Sequence, residues 1–155
     1  MLARAGFGVG MTQGATLVEV EVDTLLGRVR PTRAHGIIAA GKIHAPVLAH
    51  SQVSGGIIQG LGYALYEERH LDPDTGLNLT ANLEDYRIPG IGDTPEITVE
   101  FVEEGFGHVP GGGVGLSELS TVTVAAATGN AVANATGYRP RHLPIRPGHV
   151  VGALK

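Results

Sequence analysis

Residues 46–70 read PVLAHSQVSGGIIQGLGYALYEERH, and this stretch decides the fold class. Val53, Ile57, Leu61 and Leu65 recur every fourth residue, the spacing of one apolar stripe on an α-helix. Pro46 suits a first helical turn, where a missing N–H costs nothing. The stripe runs on to Glu67, Glu68, Arg69 and His70 and stops at the turn sequence DPDTG of residues 72–76. Four glycines, Gly55, Gly56, Gly60 and Gly62, sit inside this helix. Together they cost on the order of 3–4 kcal/mol relative to alanine. A helix carrying that cost packs its backbone closely against another helix or a ligand, and spacing alone does not choose between them.

Upstream, residues 17–23 (LVEVEVD) alternate strictly, with Val18, Val20 and Val22 on one face and acids on the other. That is a half-buried strand. Residues 23–27 (DTLLG) read as a turn and 28–33 (RVRPTR) as the returning strand, basic where its partner is acidic. Pro31 puts this strand at a sheet edge or a bulge. Residues 1–13 form a Gly-rich N-terminal segment expected to be a loop, separate from a main domain over 14–155, and residues 34–45 carry no clear period.

Downstream, residues 77–95 read as irregular and 97–101 (ITVEF) as another strand. A Gly-rich loop follows at 110–115, expected to be flexible. A second helix is expected from Ser117, as N-cap, to Ala135, with Gly137 as C-cap. The β-branched run Thr121-Val-Thr-Val124 favours a later start. The Pro-punctuated tail, 140–155, reads as an irregular strap. The expected fold is α+β: a small mixed or antiparallel sheet packed by two main helices.

Composition narrows the function. The 155 residues are 43% hydrophobic but only 5% aromatic, so the core rests on Val, Ile, Leu and Ala. Gly, at 24 residues, is about twice its usual share. A net charge of −4 without a Lys/Arg run disfavours nucleic acid. With no cysteine, the chain offers neither disulfides nor thiolate ligands for metals or iron–sulfur clusters. No apolar run is long enough to span a membrane and no signal peptide is apparent, which points to the cytoplasm or to export with a partner.

Residues 36–42 (GIIAAGK) have P-loop spacing, but Ile43 stands where magnesium binding needs Ser or Thr. The seven histidines are scattered without zinc-ligand spacing. Residues 111–118 (GGGVGLSE) hold more interest. Glu118, read as the first helical position, either complements the helix dipole or is aimed at a ligand that the glycines admit. Dipole placement keeps such a carboxylate ionised, as a base requires.

Taken together, residues 51–68 (SQVSGGIIQGLGYALYEE) resemble the Gln-x-x-Gly-Gly helix of the molybdenum hydroxylases, the xanthine dehydrogenase/aldehyde oxidase family. Residues 72–76, 82–89 (NLEDYRIP) and 93–95 follow in that family's order. Val114-Gly-Leu-Ser-Glu118 is similar to its active-site segment, with Val114 and Ser117 where the family has Lys or Arg and Gly. Residues 125–137 resemble the next helix and 143–147 the closing strap, so the likeness covers roughly 14–150.

The resemblance implies the C-terminal part of a molybdopterin-binding large subunit, hydroxylating an aldehyde or N-heterocycle with water-derived oxygen. It implies Glu118 as the general base and Gln52, Gly55, Gly115 and Ser117 as cofactor-binding residues. The implied cofactor is a molybdopterin-type molybdenum cofactor, a dinucleotide form included. The implied partners are an upstream large-subunit segment and subunits carrying iron–sulfur clusters and FAD, and the isolated chain is expected to be inactive. The other expectation is a non-catalytic module that self-associates as a homo-oligomer or serves interactions.

Overall fold

The computed structural model describes residues 11–116 and 118–154. Three strands, β1 (Gln13–Asp23), β2 (Arg28–Ala39) and β3 (Glu96–Val102), form one sheet in the order β1-β2-β3. β1 and β2 are antiparallel and β2 and β3 parallel, so the sheet is mixed. The acidic and basic strands of the hairpin pair as their sequences require: Glu19 faces Arg33, Glu21 faces Arg30 and Asp23 faces Arg28. Asp23 closes the turn, its carboxylate accepting the Leu25 and Leu26 N–H groups at 2.9 Å each.

Pro31 lies in the central strand, yet the register shifts beside it, between Glu19 and Val20. β3 pairs only from Arg33 onward. Pro31 thus meets a bulge on one side and no strand on the other, where its lack of a donor is harmless. Both hairpin strands outrun the expected limits. β1 begins at Gln13 rather than Leu17, and β2 continues through residues 34–39.

That continuation explains the P-loop-like spacing. Gly36 is a strand residue, and a Cβ there would lie 3.1 Å from Ile57 Cδ1 and 3.3 Å from Val53 Cγ1. Its smallness lets helix α1 (Pro46–Leu65) cross the sheet closely. Ala34, Ile38 and Ala40 of the sheet side, Val53, Ile57 and Leu61 of α1, and Val124 form the main core. Fully burying side chains such as Ile57 and Leu61 contributes roughly 1.5–3 kcal/mol each.

α1 stops at Leu65, short of the expected 67–70, as the Tyr66 and Glu67 N–H groups both turn back to the Gly62 carbonyl at 2.9 Å. Beyond it Glu67 and Glu68 serve tertiary contacts. Tyr86 donates to Glu67 Oε2 at 2.6 Å, and Arg146 pairs with Glu68.

The second helix starts late and is broken. α2 (Leu119–Val122) and α3 (Val124–Thr136) meet at Thr123, inside the β-branched run. Gly137 caps α3 in the left-handed conformation, φ 75°, donating to the Ala133 carbonyl. The tail is not wholly irregular: residues 147–153 form α4 (Pro147–Ala153). Its Val150 joins Val29, Val132 and Ile145 in a second core that seals the hairpin end. No described helix is long and apolar enough to cross a membrane.

Candidate functional site

The glycines of α1 divide by what they meet. A Cβ on Gly56 would overlap the Ser120 hydroxyl of α2, and one on Gly60 would sit 2.6 Å from Val124 Cβ and 2.8 Å from the Thr121 carbonyl. Gly62 is filled by Glu67. These three serve packing within the chain. Gly55 differs: it is exposed, and nothing lies within 4 Å of where its Cβ would be.

Gln52 is also exposed, off the buried Val53–Ile57–Leu61 stripe. It lines a cleft of about 310 Å³ with Lys42, His44, Leu48, Val114 and Leu116. The last two flank Gly115, which like Gly55 has open space where a Cβ would be.

The Gly-rich loop that carries Gly115 is pinned rather than flexible. Lys42 N–H donates to the Gly112 carbonyl at 2.9 Å and Val114 N–H to the Ala40 carbonyl at 2.8 Å, with Gly41 and Gly113 bridged between them. A Cβ on Gly113 would come 2.5 Å from the Lys42 carbonyl oxygen, so the approach is backbone on backbone and excludes side chains. On the far side, the Thr12 hydroxyl donates to the Gly115 carbonyl at 2.5 Å.

Glu118 is exposed and lines a neighbouring cleft of about 370 Å³ with Met11, Thr12, Leu119 and Val122. It is the N-cap of α2, not the first helical residue. Its carbonyl accepts the Thr121 N–H at 2.9 Å, and its side chain does not cap the helix. With only one turn before Thr123, the expected dipole role is correspondingly smaller, because the effect needs an aligned run of peptides. Ser117 lies outside the described residues.

Gln52 and Glu118 therefore line separate clefts, the first reaching Leu116 and the second Glu118, rather than one cavity. α2 holds its place against α1 through Gly56 and Ser120, supplemented by a 3.5 Å hydrogen bond from the Thr121 hydroxyl to Gln59 Oε1. Lys42, His44 and Thr12 were not among the residues expected at the site. Lys42 and His44 come to the cleft through the pairing of Gly41 with Gly113, and Thr12 to its own cleft beside the Gly115 carbonyl, contacts distant in sequence and without a local signal. Among the described residues, no group of three or more His, Asp or Glu could hold a metal ion.

The resolved titration shifts lie away from these clefts. Arg33 holds the Glu19 carboxyl below its ordinary value, and Arg146 does the same for Glu68. The hydrogen bond to Glu67 pushes Tyr86 up to about 12, while burial raises Tyr66.

Comparison with known proteins gives this geometry a context. The sequence model of the molybdopterin cofactor-binding domain matches residues 5–95, more than half of the chain. The xanthine dehydrogenase molybdenum-binding subunit of Escherichia coli O157:H7 is 38% identical over 134 residues, 86% of this chain and 18% of that subunit. The aldehyde oxidoreductase molybdenum-binding subunit of E. coli K12 is 39% identical over 129 residues, 83% of this chain and again 18% of the subunit. The crystal structure of the aldehyde oxidoreductase from Desulfovibrio desulfuricans superposes with a TM-score of 0.83 at 31% identity, covering 93% of this chain and 16% of that one. The chain thus spans about a fifth of the length of the curated relatives it matches.

Proposed function

The chain belongs to the molybdopterin cofactor-binding domain family, and from that premise we propose that residues 14–155 form part of the wall holding a molybdopterin-type molybdenum cofactor, in a hydroxylase of aldehydes or N-heterocycles. The observation that carries this reading is that Gln52 and Glu118 each line a cleft, with Gly55 one helical turn from Gln52 on α1 and Gly115 between the cleft residues Val114 and Leu116. Gly55 and Gly115 there face open space, whereas their near neighbours Gly56 and Gly113 are closed by the chain's own atoms. The residues present fit such a group. Gly55 and Gly115 let a flat ligand reach the backbone, and the Gln52 carboxamide offers both a donor and an acceptor. Lys42 and His44 add polar and cationic character to the same cleft.

When bound, the cofactor supplies two-electron redox chemistry with water as the source of oxygen. The part of this chain is to position and to take up a proton. Glu118, on a backbone fixed by the Gly56–Ser120 contact, accepts that proton at a carboxylate oxygen as general base. Hydrogen bonds from Thr12 and to Ala40 hold the 113–116 segment beneath it. Activity requires the upstream large-subunit segment, and iron–sulfur and flavin subunits carry the electrons away. The absence of cysteine from this chain agrees with clusters being bound elsewhere.

The test is molybdenum analysis of the purified chain, alone and co-expressed with an upstream large-subunit segment. Molybdenum is expected in the complex and not in the lone chain. Its absence from both contradicts the proposal. A second reading, a self-associating or interaction module, draws on the exposure of Met11 (75%), Val47 (83%) and Leu48 (72%) at or beside these clefts. It requires a metal-free oligomer by analytical ultracentrifugation, disrupted by Leu48→Lys.

A further inference from the structure

A second cleft, independent of the cofactor reading, lies at the far end of α1, between the hairpin turn and the tail. Its volume is about 500 Å³, within the range of small-molecule sites. Its floor is apolar: Val29, Leu65, Pro144 and Ile145, of which Val29 and Ile145 are buried core residues. Three arginines line it, Arg28 from β2, Arg87 from the irregular segment after α1, and Arg146 from the strap before α4.

The only carboxylate among the lining residues is Glu68, and it is already paired with Arg146. Among the described residues, Arg28 and Arg87 form no ion pair. Two uncommitted guanidinium groups thus face one cleft in a chain whose net charge is −4. Tyr66, whose hydroxyl donates to Asp93, adds an aromatic wall.

We infer that this cleft binds a small organic dianion with an apolar body, a phosphate monoester being the simplest case. Planar guanidinium forks match phosphate oxygens two at a time, which a scattered pair of surface cations would not. The apolar floor favours an ester whose organic part is flat and uncharged. Arg146, held by Glu68, contributes shape more than free charge.

The experiment is a titration of the full chain, followed by two-dimensional NMR, with phenyl phosphate, inorganic phosphate and benzyl alcohol as separate probes. Phenyl phosphate should bind saturably, shifting the amides of residues 26–29, 65–68, Ile145 and Arg146, and should bind more tightly than phosphate. Benzyl alcohol should not saturate. Arg28→Gln and Arg87→Gln, both at exposed positions, should each weaken phenyl phosphate binding about tenfold with the remaining spectrum unchanged. Added salt should also weaken it. No saturable shift, or wild-type affinity in both variants, overturns the inference. So does shifting confined to other residues, and equal affinity for phosphate and phenyl phosphate removes the apolar floor from the site.

Discussion

Gly56 of α1 and Ser120 of α2 touch so closely that a side chain at position 56 requires Ser120 to move. A Cβ there would overlap the Ser120 hydroxyl oxygen and lie 3.0 Å from Ser120 Cβ. This contact, two residues after Glu118 and four after Gln52, sets where the candidate base lies relative to the candidate cofactor-facing helix.

The adjacent glycines should therefore respond oppositely. Gly56→Ala forces the helices apart and should destabilise the chain by about 1–3 kcal/mol. Gly55→Ala meets open space and should stabilise it by up to about 1 kcal/mol through helix propensity. Denaturant unfolding of both variants measures the contrast. In the assembled enzyme Gly55→Ala should nevertheless lower molybdenum content, because the added methyl would project into the space assigned to the cofactor.

Two left-handed glycines make a second pair. Gly27 (φ 69°) abuts the Pro147 carbonyl and Val151, with Val151 Cγ2 2.8 Å from its would-be Cβ, whereas Gly137 (φ 75°) has nothing within 4 Å. Gly137→Ala should cost only the backbone strain, about 1–2 kcal/mol. Gly27→Ala adds a clash with α4 and should cost clearly more, about 3 kcal/mol or above. Thermal unfolding of the two variants checks the order.

On the alkaline side, Tyr86 titrates at about 12 in the folded chain because it donates to Glu67. A folded value above the unfolded value of about 10 means stabilisation fully present below pH 10 and lost as pH rises toward 12. Tyrosinate absorbance should show a late-titrating step of this kind, and Glu67→Gln should move it earlier. An unchanged titration in that variant would remove Glu67 as the cause.

On the acid side the sign reverses. Arg146 lowers Glu68 and Arg33 lowers Glu19, so each pair stabilises above the ordinary carboxylate range and loses that effect as pH falls through the lowered values. The Glu19–Arg33 pair is exposed and the Glu68–Arg146 pair partly so, and the loss should be shallow. Glu68→Gln should flatten the acid limb of the stability–pH curve without shifting its neutral plateau by more than about 1 kcal/mol.

Much of the fold was legible where a local period met a local partner. The hairpin announced itself in alternating Val18, Val20 and Val22 with opposed charges, α1 in Val53, Ile57 and Leu61, and the end of α3 in Gly137. Residues 34–39 were not legible, because a strand covered by a helix and paired on both sides keeps no polar alternation, and Gly36 mimics a loop residue. α4 was hidden by Pro147 and Gly148, since only Val150 of its seven residues is fully buried. At the site, Gln52 and Gly55 could be placed on the outer face by their offset from the apolar stripe. The difference between Gly55 and Gly56 could not, because it rests on Ser120, distant in sequence.

The most direct test of the central claim is Glu118→Gln in the complex assembled with the rest of the large subunit and its electron-transfer partners, with molybdenum content and turnover measured on the same preparation. Loss of the proton-accepting carboxylate should leave the metal content at the wild-type level and lower kcat by about 10²–10⁴-fold. Wild-type turnover in that variant, at wild-type molybdenum content, would contradict the assignment of Glu118 as the base.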